Sequence, residues 1–152
     1  MLVSRFYYCL FFFFSICTHV DSLFSQNQNK IDSLRNRLEE TDINDSSKIF
    51  DIYYKIAKLH DKDNRNFLAK RNIDTAMLFA NNEQKAKLYI RLGNLYWQGA
   101  DYENAVLSYQ QTLRISEKTA NEKLRASALN NIGFIYNEYN NKEKALEYYY
   151  KG

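Results

Sequence analysis

The chain has 152 residues, of which 21 are basic and 18 acidic, and it contains no proline and only four glycines. Average usage would give roughly eight prolines and eleven glycines, so the chain lacks the turn residues that sandwiches, barrels and glycine-rich nucleotide folds need. A net charge of +3 is too small, and its charges too mixed, to indicate a nucleic-acid surface. With 45% apolar residues, the sequence predicts one domain with a packed core.

Cysteine and histidine are nearly absent from the part of the chain expected to fold. Cys9 and Cys17 both lie in the first 20 residues, and His60 is the one histidine beyond them. This distribution excludes a Cys/His zinc site, a disulfide framework and a Cys–His catalytic pair from the folded part. His60 is predicted to be a packed side chain. We therefore expect no catalytic residue, no metal, no cofactor and no enzymatic activity.

The N-terminal segment predicts an export signal. Arg5 precedes an apolar run at residues 6–17 that has four consecutive phenylalanines at its centre. The run is shorter than the ~20 apolar residues that span a bilayer, and it fits the apolar stretch of a secretory signal. Cleavage after Ser25 is the preferred interpretation and cleavage after Ser22 the second. Two alternatives stay open, a lipidated Cys17 and an uncleaved membrane anchor.

Beyond this segment, apolar residues recur at helical spacing throughout. A short first helix is predicted at residues 31–38, where Ile31, Leu34 and Leu38 form one stripe. Six further stripes follow, at residues 49–60, 68–77, 89–96, 105–113, 124–139 and 145–149. Polar turns separate them, and no sustained alternation of β-branched residues occurs. The sequence therefore predicts an all-α fold.

Small and aromatic residues repeat in register along the chain. Small residues occur in pairs twelve residues apart, at Ala57 and Ala69, at Gly93 and Ala105, and at Gly133 and Ala145. Successive units are 36 and 40 residues apart, measured from Ala57 to Gly93 and from Gly93 to Gly133. Four aromatic residues take equivalent places in the second and third units: Tyr96, Tyr109, Tyr136 and Tyr149. The spacing suits two helices that cross closely at the small residues, with the aromatic rings beside the crossing.

This pattern resembles the tetratricopeptide repeat, a helix pair of about 34 residues with the signature Trp-x-x-Leu-Gly-x-x-Tyr…Ala-x-x-x-Phe. The second unit fits the signature best: Tyr89-x-x-Leu92-Gly93-x-x-Tyr96…Ala105-x-x-x-Tyr109. The resemblance implies antiparallel helix pairs stacked as a short solenoid. Repeats would cover about residues 50–83, 86–119 and 126–152, the last one incomplete.

The predicted organisation has three parts: a signal peptide at residues 1–25, an N-terminal helix and linker at 26–46, and the repeat domain at 47–152. This order resembles the start of exported bacterial tetratricopeptide proteins, some of which continue into sensor kinases or regulators. The resemblance implies a periplasmic location after cleavage, with an inner-membrane anchor as the alternative. The short final helix also leads us to expect that further residues or a second copy cover the third repeat.

In tetratricopeptide arrays, the first helix of each pair lines a concave groove that binds an extended or helical peptide. The resemblance implies such a groove here, with eight candidate lining residues: Lys87, Ile90, Arg91, Asn94, Trp97, Asn130, Asn131 and Phe134. Asn94 and Asn131 match two asparagines of the clamp with which this family holds a peptide carboxylate, but Ile90 replaces the lysine of that clamp. A groove of Trp97 and Phe134 rimmed by Lys87 and Arg91 suits an apolar or mildly acidic peptide.

Two functions of different class are compatible with these features. The first is a non-catalytic module of an exported protein that binds a protein or peptide partner, self-association included. The alternative is the sensory N-terminal region of a larger signalling protein, a histidine kinase or a transcriptional regulator. Neither function involves nucleic acid. Membrane contact is expected only through the N-terminal segment or a downstream region.

Overall fold

The computed structural model describes residues 2–152, with side chains described from residue 21 onward. The described residues form seven α-helices and no strand: α1 Leu2–Glu39, α2 Ser46–Lys62, α3 Asn66–Met77, α4 Asn82–Gln98, α5 Tyr102–Thr119, α6 Glu122–Glu138 and α7 Lys142–Lys151. They divide into two compact units, Met1–Thr41 and Asp42–Gly152. The first unit is α1, and the second contains the other six helices.

α1 is one continuous helix of 38 residues. The sequence predicted only a short helix at residues 31–38, after a cleaved segment. The observed helix is longer because no proline or glycine interrupts residues 2–39. Most side chains of the predicted signal peptide lie outside the described residues, so export and its cleavage site stay predictions. Among the described residues, no helix is long and apolar enough to cross a bilayer.

The second unit consists of three antiparallel helix pairs, α2–α3, α4–α5 and α6–α7. α3 packs on α4, and α5 packs on α6, so each pair stacks on the next. This arrangement confirms the predicted all-α solenoid. The longer spacing between the second and third units has a visible origin, since α5 has 18 residues and α3 only 12.

The turn inside each pair has the same backbone conformation. Asn64, Ala100 and Asn140 adopt left-handed φ angles of 56°, 57° and 57°. They are 36 and 40 residues apart, which is the spacing of the small residues. The pairs begin about four residues before the predicted repeats, because polar side chains cap the first helices. Asp45, Asn81 and Asn121 each accept a hydrogen bond from the amide three residues later.

The helices of each pair cross closely at the small residues of the repeat. Ala57, Ala69 and Ala105 are fully buried and Ala145 nearly so. A Cβ on Gly93 would lie 2.7 Å from Cζ of Tyr109. In the third pair, a Cβ on Gly133 would lie 2.7 Å from Cε1 of Tyr149. Each glycine therefore leaves the space that a tyrosine ring of the partner helix occupies.

Two buried clusters fill the second unit. One joins the first pair to α4: Phe50, Ala57, Ala69, Ile73, Ala76, Leu88 and Leu95. The other joins α5 to α6: Ala105, Tyr109, Ala128, Ile132 and Ile135. His60 is 2% exposed, as a packed histidine should be. The core is thus continuous along the stack, with each junction closed by the second helix of one pair and the first helix of the next.

The turn between α5 and α6 offers a test of this backbone description. Ala120 caps α5 in a left-handed conformation with φ 49°, which is unfavourable for a residue with a Cβ. We expect Ala120→Gly to raise the free energy of unfolding by about 0.5–1 kcal/mol, because glycine adopts this conformation without steric strain. Ala126→Gly, inside α6, is the matched control and should lower stability by about 1 kcal/mol. A chemical denaturation series in which both variants lose stability would contradict the left-handed conformation of Ala120.

Candidate functional site

A cavity of about 290 Å³ lies between α4, α5 and α6. Seven residues line it: Asn94, Trp97, Gln98, Tyr109, Asn131, Phe134 and Ile135. Four of the eight candidate residues from the sequence are among them, namely Asn94, Trp97, Asn131 and Phe134. The cavity spans the junction between the second and third repeats, so a bound peptide would contact both.

Trp97 and Phe134 form the apolar side of this cavity. Their ring centroids are 5.6 Å apart and their planes meet at 71°, which is an edge-to-face arrangement. Trp97 is 38% exposed and Phe134 41% exposed, so both rings remain accessible. Large aromatic side chains that are half-exposed in a concave surface are common anchors for protein partners. An apolar side chain of a partner can fill the space beside these two rings.

The polar side of the cavity is made of amide side chains. The Tyr109 hydroxyl donates a hydrogen bond of 2.7 Å to Oδ1 of Asn94, so this amide is held in place from the opposite helix. Burial raises the pKa of Tyr109 to about 12, and the phenol therefore remains a donor at neutral pH. Asn131 and Gln98 complete the amide set. Amides both donate and accept, and they can pair with the backbone of an extended peptide.

The other four candidates lie outside the cavity lining. Ile90 packs against the cluster between α5 and α6. Asn130 lies near the end of α7, where a Cβ on Gly152 would be 3.4 Å from its Oδ1. Lys87 is exposed and pairs with Glu83 one turn away at 2.8 Å. None of these three side chains lines the cavity.

Arg91 has a structural partner. Its guanidinium forms an ion pair with Asp61 of α2, and both side chains are largely buried. The guanidinium also lies 5.6 Å from the centroid of the Tyr54 ring. The pair joins the first helices of two successive repeats. Since its charge is matched by Asp61, Arg91 is not the free cationic rim that the sequence suggested.

Three residues that line the cavity, Gln98, Tyr109 and Ile135, are not among the eight candidates. Tyr109 lies on the second helix of its pair, and its ring reaches the cavity because Gly93 has no side chain to block it. The second and third repeats each have a glycine on the first helix and a tyrosine on the second. This pattern could have predicted that the Tyr109 ring reaches the cavity. Ile135 is 2% exposed and comes one residue after Phe134. It is therefore part of the core that also forms the floor of the groove.

A second cavity of about 270 Å³ lies between α5 and α6, where no candidate residue had been predicted. Its lining is mostly aromatic and aliphatic, with one carboxylate: Tyr102, Glu103, Val106, Leu107, Ile135, Tyr136 and Tyr139. The rings of Tyr102 and Tyr139 meet edge to face with centroids 4.9 Å apart. Ile135 lines both cavities. Among the described residues, no three His, Cys, Asp or Glu side chains are grouped so that they could hold a metal ion.

The raised pKa of Tyr109 gives a pH dependence. An unfolded tyrosine ionises near pH 10, and the folded one near 12. Its contribution to stability is therefore complete below pH 10 and is lost as the pH rises from 10 to 12. We expect Tyr109→Phe to cost about 1 kcal/mol at pH 9, through the lost hydrogen bond to Asn94. The stability of the variant should then fall less than that of the parent chain between pH 9 and 11.5. If urea denaturation shows the stability of the variant and of the parent chain falling equally over this pH range, the prediction is contradicted.

Comparison with known proteins identifies a matching family and solved structures of similar fold. Residues 84–152 match the tetratricopeptide repeat family. Solved structures with a similar fold include MamA, with a TM-score of 0.63, 18% identity, and coverage of 87% of this chain and 75% of that one. BtubC (BKLC) from P. vanneervenii has a TM-score of 0.68 and 18% identity, and the match covers 87% of this chain and 55% of that one. No curated protein matches the sequence.

The second unit is a stack of helix pairs of the tetratricopeptide type. Residues 84–152 contain tetratricopeptide repeats, as the signature around Gly93 and Gly133 predicted. Identities of 18% to the solved structures establish the fold alone. The chain spans about half the length of BtubC.

Proposed function

We propose that this chain is a non-catalytic scaffold that binds a peptide segment of a partner protein in the cavity between α4, α5 and α6. The single observation that carries the proposal is the juxtaposition of the accessible Trp97 and Phe134 rings with the amides of Asn94, Gln98 and Asn131 in one cavity. Tetratricopeptide repeats generally serve as interaction scaffolds, which supports the same function. Export of the scaffold is a further proposal that depends on residues 1–25.

The cavity favours an apolar side chain flanked by extended backbone. The two rings offer apolar surface, and the three amides offer donors and acceptors without a net charge. Arg91 and Lys87 already have carboxylate partners in Asp61 and Glu83. Ligands that rely on acidic side chains therefore gain little here. We infer that the peptide carries an aromatic or large aliphatic residue that enters the space beside Trp97.

The experiment is a selection of peptides from a random library by the purified chain, followed by affinity measurement of the selected peptides. We expect sequences that share a large apolar residue and lack a requirement for acidic residues. Each selected peptide is compared with a version in which its apolar residue is replaced by serine. Selection of acidic peptides that tolerate this replacement, or failure to select any peptide, would overturn the proposal.

A further inference from the structure

The second cavity has a counterpart at the preceding junction of the array. There the ammonium of Lys70, on α3, lies 3.8 Å from the centroid of the Tyr96 ring, on α4. This is a close cation–π contact, in which the negative face of the ring attracts the charge. The chain thus fills this position with its own lysine.

The register of the repeats identifies the equivalent residues one junction later. Second helices are related by 36 residues, from Ala69 to Ala105, and first helices by 40, from Gly93 to Gly133. Lys70 therefore corresponds to Val106, and Tyr96 corresponds to Tyr136. Both Val106 and Tyr136 line the second cavity. The ring is retained at this junction while the lysine is replaced by a short aliphatic residue.

We propose that this cavity binds a lysine side chain supplied by a partner protein. Tyr102 and Tyr139, in addition to Tyr136, give the cavity three aromatic rings. Val106, Leu107 and Ile135 provide apolar surface for the four-carbon stem of the guest lysine, as lysine stems commonly pack on such surface. The site is separate from the groove beside Trp97, and it gives the scaffold a second point of contact.

The charge of the cavity complements a cation. Glu103 lines it, is exposed, and forms no ion pair among the described residues. One lysine of the chain is near: Lys144 of α7 lies 5.1 Å from the Tyr136 centroid. Lys144 does not line the cavity, and Tyr148, one turn further along α7, stacks on the same ring at 5.5 Å. Removal of the Lys144 charge should therefore strengthen binding of a guest lysine or leave it unchanged.

The preference for lysine over an uncharged side chain is expected from two attractions, the cation–π contact with the tyrosine rings and the ion pair with Glu103. An exposed cation–π contact and an exposed ion pair each contribute modestly. Together they should make a lysine peptide bind about five- to tenfold more tightly than one with the same stem and no charge. Affinity for an isolated lysine is expected to be weak, so the test uses millimolar peptide and a signal from the rings themselves.

The probe is a blocked pentapeptide, Gly-Ser-Lys-Ser-Gly, and its matched control replaces lysine with norleucine. Both are titrated into the full chain with isotope-labelled tyrosine rings, observed by NMR. We expect saturable shifts at Tyr102, Tyr136 and Tyr139 with the lysine peptide and a five- to tenfold weaker response with norleucine. Equal responses, or shifts confined to other tyrosines, would overturn the proposal.

Variants make the result specific to this cavity. Val106→Lys should abolish the response, because its own ammonium takes the place that Lys70 takes at the preceding junction. Glu103→Gln and Tyr139→Ala alter exposed side chains, leave the fold intact and should each weaken the lysine response. Trp97→Ala changes the groove beside Trp97 and should leave the lysine response unchanged. This variant therefore distinguishes a failure of the lysine site from a failure of the proposed peptide groove. Undiminished binding by Val106→Lys and Glu103→Gln would contradict the assignment.

Discussion

Gly93→Leu is expected to lower the free energy of unfolding by about 1–3 kcal/mol, through overpacking of the α4–α5 crossing. Even a Cβ at this position would lie 2.7 Å from Cζ of Tyr109. The Tyr109 ring cannot move aside easily, because it is 3% exposed and its hydroxyl is bonded to Asn94. Leucine must therefore separate the two helices or expel the ring. Urea denaturation of the purified chain measures the loss.

Two matched glycine variants isolate the crossing from general effects of leucine. Gly133→Leu meets the Tyr149 ring, but that ring is 40% exposed and can turn into solvent, so the loss should be smaller. Gly99→Leu meets only two carbonyl oxygens at 3.5 Å and should stay within about 0.5 kcal/mol of the parent chain. Equal losses at Gly93 and Gly99 would show that close helix approach does not determine stability here.

Trp97→Ala is expected to weaken binding of a library-selected peptide by about ten- to a hundredfold, as loss of a central aromatic anchor commonly does. The reason is the edge-to-face pair that Trp97 forms with Phe134 at the mouth of the groove. Phe134→Ala should have a similar effect. Isothermal titration of each variant with one peptide gives the comparison directly.

The control for this prediction is Phe67→Ala. Phe67 is also an aromatic residue, is 77% exposed on α3, and lines neither cavity. We expect Phe67→Ala to bind the peptide as the parent chain does. A binding loss as large in Phe67→Ala as in Trp97→Ala would place the peptide elsewhere on the molecule.

Much of the fold was predictable because its determinants are local in the sequence. The pairing of Gly93 with Ala105, twelve residues on, encodes both the helix pair and the place where it crosses. Asn81 and Asn121 act as caps through hydrogen bonds to residues only three positions away. The resemblance to tetratricopeptide arrays predicted Trp97 and Phe134 as neighbours on one concave surface, and both line the same cavity. Such short-range and periodic signals do not depend on knowing the three-dimensional structure.

Other features depend on contacts between distant segments and could not be read in advance. Arg91 meets Asp61 from 30 residues away, across two helices of different pairs, so its charge looked free in the sequence. Ala100 takes the left-handed position that Asn64 and Asn140 occupy elsewhere, although alanine gives no signal for it. The cavity beside Tyr136 forms because Tyr102 and Tyr139, from two different turns, meet at its edge.

The most direct measurement is the footprint of a selected peptide on the isotope-labelled chain by NMR. The proposed groove predicts amide shifts concentrated at residues 94–98 and 131–135, with side-chain shifts at Trp97 and the amides of Asn94 and Asn131. The unchanged regions should include α3 and the exposed Leu78 that follows it. Shifts confined to α3, or spread evenly over all helices, would contradict peptide binding in the groove between α4, α5 and α6.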